Sequence, residues 1–299
     1  MAVIRSATSP LRRRRVLALI LLFCLGVGLA AAAQAPSALG PDPLTGPRSR
    51  LSERKDWLGV LPLPPQTEIL VLAGHADSQG MPGAGTSGEA VALRGAAPMQ
   101  PGIRDELYWN LLTAQAVVEL GQQRGLRIRF YDPPERSIAD GNDPRTNWSV
   151  GKTHAAAGGY ALEIHYDAYG PDGVGSGLIP PLHRHTTRLD ESLAQAFGAY
   201  PLLYREGLGA PRRGIAILEI GKLEGSLEAA LRDPRRREVT INAIALRVVE
   251  ALERGLEPAP GPVVSPALPV AVGASEPQPV QRISPPPRGG RSARPARRR

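Results

Sequence analysis

The chain has 299 residues, 42% of them hydrophobic and 21% charged, enough apolar side chain for one sizeable core and too much for a wholly disordered protein. Its formal charge of +8 sits at the ends: residues 1–34 hold five arginines and no acid, and residues 257–299 hold seven arginines against Glu257 and Glu276. The stretch between therefore carries a net −2, so the basic balance says nothing about a site there and no nucleic-acid partner is expected, and the single cysteine, Cys24, falls in the N-terminal segment, which excludes disulfide or thiol chemistry from the rest.

At the N-terminus, Arg12 to Arg15 precede an apolar run at 16–29 and a small-residue stretch at 30–35, the order of a secretory signal. The run at 16–33 also approaches the roughly 20 residues of a bilayer span. Residues 1–34 are thus read as a signal peptide or signal anchor, with membrane contact only in the uncleaved form, and the destination as the periplasm or cell envelope. Residues 35–66, rich in Pro, Gly and charge, are read as a linker whose apolar stretch at 57–63 is the part able to dock at an edge. Residues 67–256 hold the ordered domain. Residues 257–299 alternate Pro, Ala and Val and end in Arg, a composition that buries too little apolar surface to offset ordering and reads as a disordered tail.

Within the domain, 68–73 is a continuous apolar strand and 104–124 a helix closed by Gly125. A second strand follows at 126–131, a helix at 148–157, a third strand at 160–165 and a fourth at 176–179. A helix at 188–203, a strand at 214–220 and a closing helix at 235–254 complete the pattern. Alternating strands and helices predict an α/β three-layer sandwich with a mostly parallel, mixed central sheet flanked by helices. Ligands in such folds collect outside the carboxyl ends of the strands.

His75 directly follows the apolar 69–73 run and Gly74, where a strand emerges into a loop. His165 ends the strand at 160–165, and alternation puts Glu163 on the same face. Glu219 is the one acid in the apolar run 215–220, a strand expected near the sheet centre, where an isolated carboxylate costs several kcal/mol unless paired, protonated or metal-bound. Glu106 opens the helix at 104–124, and Asn110, one turn on, shares its border with the stripe of Leu107, Leu111, Ala114 and Val118. Singly, each has an ordinary explanation: a loop histidine, a satisfied structural histidine, a buried ion pair with an arginine, a first-turn acid complementing the helix dipole. His183 and His185 flank Arg184 after Pro180-Pro181, either as a polar loop or as a rim that binds an anionic peptide. Asn147-Trp148-Ser149 fits a glycosylation sequon.

In register, Gly74-His75, Glu106 with Asn110 four residues on, Glu163-Ile164-His165 and Leu218-Glu219-Ile220-Gly221 resemble the zinc-dependent N-acetylmuramoyl-L-alanine amidases of the type-3 catalytic family, over about residues 68–256. The resemblance implies that His75, Glu106 and His165 hold Zn2+, that Glu219 is the catalytic base, and that a zinc-bound water attacks the amide joining N-acetylmuramic acid to L-Ala of peptidoglycan. Glu163, Asn110, His183 and His185 are then candidates to orient a metal-binding side chain or to meet the substrate. The chain departs from the family at Leu72-Ala73, in place of Asp-Pro, and at Glu163, in place of Ser. The alternatives are a zinc amidohydrolase acting on a small acylated amino acid or peptide, and a non-catalytic cell-wall-binding relative. Oligomeric state is left open.

Overall fold

A computed structural model describes residues 40–182 and 185–257. The N-terminal segment, nearly all of the C-terminal tail and His183 lie outside the described residues. No helix among the described residues is long and apolar enough to cross a membrane.

Five strands, β1 (Ile69–Ala73), β2 (Ile128–Tyr131), β3 (Tyr160–Asp167), β4 (Gly177–Ile179) and β5 (Ile215–Lys222), form one sheet in the order β2-β1-β3-β5-β4. All pairings are parallel except that of β4 with β5. All five residues of β1 are fully buried, which is why it reads as an unbroken apolar run rather than an alternating one. The central strand is β3; β5, expected near the centre, lies between β3 and the edge strand β4. The register nonetheless sets Glu219 directly opposite His165 of the central strand.

The sheet's two faces bury different sets of side chains. Val71, Leu162, Ile164 and Leu218 meet α2 (Asp105–Gln123), α4 (Arg188–Phe197) and α6 (Arg237–Leu256) in the larger core. Leu70, Leu72, Ala161, Ile215 and Ile217 form the smaller core on the other face, which α3 (Asn147–Ala156) covers. Gly151 lets α3 rest on the sheet, since a Cβ there would lie 2.5 Å from the Ile215 side chain. Period-two alternation places Glu163, His165 and Glu219 on this thinner face.

The helix predicted at 188–203 stops at Phe197, because Gly198 turns away with φ of 105° and Ala199 and Tyr200 then pair with Leu178 along the outer side of β4. Two short helices, α1 (Gly88–Ala92) and α5 (Gly225–Arg232), were not anticipated; Glu228 joins them by accepting from the Ala90 N–H at 3.0 Å. The described part of the expected linker is packed. Asp42 pairs with Arg247 at 2.8 Å, Trp57 Nε1 donates to the Tyr200 carbonyl, and Leu61 bridges to Thr187.

Candidate metal centre

Chain direction and register bring the carboxyl ends of β1, β3 and β5 to one edge, where the N-terminus of α2 meets them. His75 follows β1 by two residues and has a φ of 63°, the left-handed region that disfavours side chains by roughly 1–2 kcal/mol. Its peptide is tied down on both sides: Asn110 Nδ2 donates to the Gly74 carbonyl at 2.9 Å, and Gln79 Nε2 to that of His75 at 2.9 Å. Asn110 is fully buried and acts on the backbone before the histidine.

Glu106 is buried, and its two oxygens have separate partners. Oε2 accepts from the Thr86 N–H at 2.7 Å, while Oε1 lies 3.2 Å from His165 Nδ1 and 3.4 Å from His75 Nε2. Burial by itself would raise the Glu106 pKa; the charge of His75 and the hydrogen bonds to both rings reverse this and hold it far below the ordinary carboxylate value. The two imidazoles stand edge to face, with centroids 4.8 Å apart.

His165 Nε2 lies 3.4 Å from Glu163 Oε2, but at an angle that leaves this buried nitrogen without a hydrogen bond. Burial pushes the His165 pKa down, and Glu106, Glu163 and the charge of Glu219 outweigh it, so the imidazole is held well above its ordinary value. Glu219 is half-buried, with Oε2 unpartnered. Its pKa is pushed up to about 8, first by burial; the charge of His165 opposes the rise, and Asp167 and Glu106 add to it. The pocket thus gathers more carboxylate than cation and favours a positive charge in its middle.

Asp77 and Asn147 belong to this site and were not read as such in the sequence. Asn147 Nδ2 donates to the Ala73 carbonyl at 2.7 Å and to Glu163 Oε1 at 3.3 Å, and the Asn147 N–H to Asp77 Oδ2 at 2.7 Å. The sequon reading of Asn147 is corrected by its burial at 1% exposure, since an amide spent on two internal acceptors has no access to a glycan-transferring enzyme. Its signal in the sequence was Thr146, the N-cap of α3, whose side chain accepts from the Ser149 N–H. His185 is exposed and is not among the residues lining the cleft beside His75 and His165. That cleft, of about 550 Å³, runs from the two histidines past Glu219 to Trp148 and Arg205.

The donor set fits a divalent metal such as zinc. One atom from each of His75, Glu106 and His165 lies within 4.8 Å of the others. Tetrahedral ligands about 2.0–2.1 Å from zinc stand about 3.3 Å apart, close to the 3.2 and 3.4 Å that separate Glu106 Oε1 from the two rings. With Nδ1 of His165 turned to the site, Nε2 faces the Glu163 carboxylate, the outer partner that a metal-binding histidine normally has.

No family model matches the sequence, and no curated protein matches it. Among solved structures, the chain is similar to the catalytic domain of an N-acetylmuramoyl-L-alanine amidase from Bacillus (Paenibacillus) polymyxa var. colistinus, at 15% identity and a TM-score of 0.42, covering 62% of this chain and 96% of that one. It is likewise similar to the apo form of an N-acetylmuramyl-L-alanine amidase from Mycobacterium abscessus, at 17% identity and a TM-score of 0.41, covering 64% and 99%. An N-acetylmuramoyl-L-alanine amidase of Nostoc punctiforme gives 14% identity and a TM-score of 0.38, covering 62% and 95%.

Proposed function

We propose that the chain is a zinc-dependent amidase that cleaves the bond between N-acetylmuramic acid and L-Ala of peptidoglycan. The observation that carries this reading is the convergence of His75, Glu106 and His165 around one point, with the unpartnered carboxylate oxygen of Glu219 on the adjoining strand, opposite His165. A carboxylate without a hydrogen-bond partner beside such a site suits the general base of a hydrolytic centre and has no part in a purely structural one.

His75, Glu106 and His165 would hold the zinc, and Glu163, with Asn147 behind it, would fix the His165 ring. A zinc ion held by these residues would supply a Lewis acid able to acidify water and draw charge onto a carbonyl oxygen. Glu219 takes the proton of the attacking water on Oε2 and returns it to the departing amide nitrogen, whose protonation lets the C–N bond break. Its raised pKa falls when a cation joins the site, because the positive charge favours the ionised form that a base requires. Its side chain is partly exposed and lines the cleft in which an amide would lie. Residues 1–34 direct export to the periplasm or envelope, residues 67–256 are the catalytic domain, and peptidoglycan is the partner.

Incubating the zinc-loaded protein with purified sacculi and analysing the products by mass spectrometry tests the reading. The expected products are glycan strands with free lactyl carboxyls together with free stem peptides. Glycan–peptide linkages that stay intact overturn it.

A further inference from the structure

The proposed reaction uses the acidic floor of the cleft and leaves its rim without a role. Among the described residues that line the cleft, Arg205 is the one arginine or lysine, facing a lining that holds the acids Asp77, Glu163 and Glu219. Its guanidinium lies over the Tyr204 ring, 5.2 Å from the centroid, and is neither hydrogen-bonded nor ion-paired to a described carboxylate. An exposed arginine on a protein surface would ordinarily be free to turn to solvent.

The backbone beneath Arg205 limits that freedom. Arg205 has φ of 49° and ψ of 43°, Glu206 has φ of 59°, and Gly207 follows at 89°. Two successive non-glycine residues in the left-handed region are held there by the surroundings. Glu206 N–H donates to the Leu203 carbonyl at 2.9 Å, Gly207 N–H to that of Tyr204 at 3.0 Å, and Arg212 Nη2 to that of Glu206 at 2.7 Å. The strained turn thus carries, at the mouth of a cleft lined by three acids, a cation with no described carboxylate at ion-pair distance. An anionic group on a ligand is repelled by the floor and drawn to the rim, while an amide at the floor meets no such barrier. A guanidinium offers a carboxylate two parallel N–H donors, and the same cleft is lined by Trp148, 37% exposed, with the Arg213 guanidinium 4.4 Å from its ring centroid.

We propose that Arg205 forms a carboxylate-recognition subsite, so that the preferred substrate is an acyl-peptide with a free carboxylate on the peptide side of the scissile amide. The inference rests on the amidase reading, which also fixes the side: the muramic carboxyl is consumed in the amide itself, so the free carboxylates belong to the peptide.

Two synthetic muramoyl-peptides, one with its peptide carboxylates free and one with them as carboxamides, test the subsite with the full zinc-loaded chain. The wild type is expected to favour the free acid by about 10- to 100-fold in kcat/KM, chiefly through KM. In Arg205→Ala that preference falls to within about threefold of parity, and Arg205→Lys recovers part of it, since the charge remains but the fork is lost. An Arg205→Ala enzyme that keeps the wild-type preference, or a wild type without one, overturns the proposal. If the wild type cleaves neither substrate, the amidase reading fails by itself, and calorimetric binding of the free acidic peptide and its carboxamide then decides the subsite. Tighter binding of the acid that Arg205→Ala abolishes sustains it, and equal binding of both overturns it.

Discussion

Replacing Gly74 with Ala tests the metal centre without touching a ligand. An ideal Cβ at this position lies 2.3 Å from both Cε1 and Nε2 of His165, whereas ordinary contact begins at 3.4 Å, so the ring must retreat by about 1.1 Å. The ring has nowhere to go, with Glu106 Oε1 3.2 Å from Nδ1 and the His75 ring 4.8 Å away edge to face. Metal–ligand distances tolerate shifts of about 0.2 Å, so the displacement is several times what the site absorbs. Zinc affinity is expected to fall at least about 100-fold, the upper end of what losing an outer partner costs and close to 2.8 kcal/mol. The fold itself loses about 1–3 kcal/mol from overpacking, which a melt of the metal-free protein measures separately. Competition against a fluorescent chelator gives the affinity, and the rise in Tm on adding zinc, large in the wild type, should vanish in the variant. Gly141→Ala is the control, because its Cβ would meet Trp148 at an ordinary 3.5 Å. A Gly74→Ala protein that binds zinc within threefold of wild type would refute the assignment of His165.

The remaining expectations concern catalysis and stability. Glu219→Gln should keep stoichiometric zinc by elemental analysis while hydrolysis falls about 10²- to 10⁴-fold; unchanged turnover moves the base elsewhere. Leu218→Ala, which removes a fully buried side chain from the face opposite the site, should cost about 2–5 kcal/mol in urea unfolding, and a loss below about 1 kcal/mol would contradict its packing. Asp42 has its pKa lowered: burial alone would raise it, but hydrogen bonds from Arg247 and the Leu44 N–H, with the Arg247 charge, prevail. An acid whose folded pKa is depressed stabilises above its unfolded value of 3.8 and loses that contribution as pH falls through the folded value. Asp42→Asn should therefore be less stable than wild type by about 0.5–1 kcal/mol at neutral pH, given the partial exposure of the pair, and the gap should close in acid; urea midpoints that differ equally at both ends would exclude the Arg247 pairing.

The sequence revealed the strands best where they are buried on both faces, because Ile69 to Ala73 and Ile215 to Leu218 have no polar side to blur the pattern. It was least informative where glycine breaks a period. Gly198 ends α4 six residues before the apolar pattern does, and Gly88 and Gly225 open helices too short for a 3.6-residue repeat to register. The strap before β1 was obscured for a different reason. Its stability comes from single long-range contacts, such as Lys55 with Glu191 and Trp57 with the Tyr200 carbonyl, that leave no periodic trace.

The same distinction divides the site. Glu219 and His165 stand out because each interrupts an apolar strand, and a polar residue in such a place has to be compensated. Glu106 was marked by its resemblance to a pattern; helical spacing alone left it as a dipole-complementing acid. Asp77 left no mark, and Asn147 stood out only as a sequon after the capping Thr146, since their value lies in partners 70 and 74 residues away in the chain that only the fold brings near. Arg205 is the extreme case. Nothing in Tyr204-Arg205-Glu206 announces a left-handed turn, and its charge acquires meaning only against the acids across the cleft. Residues that must be buried declare themselves in the sequence by the cost of burying them. Residues that meet the substrate from the rim incur no such cost, so the part of the site that selects the substrate is the part that sequence reasoning reads last.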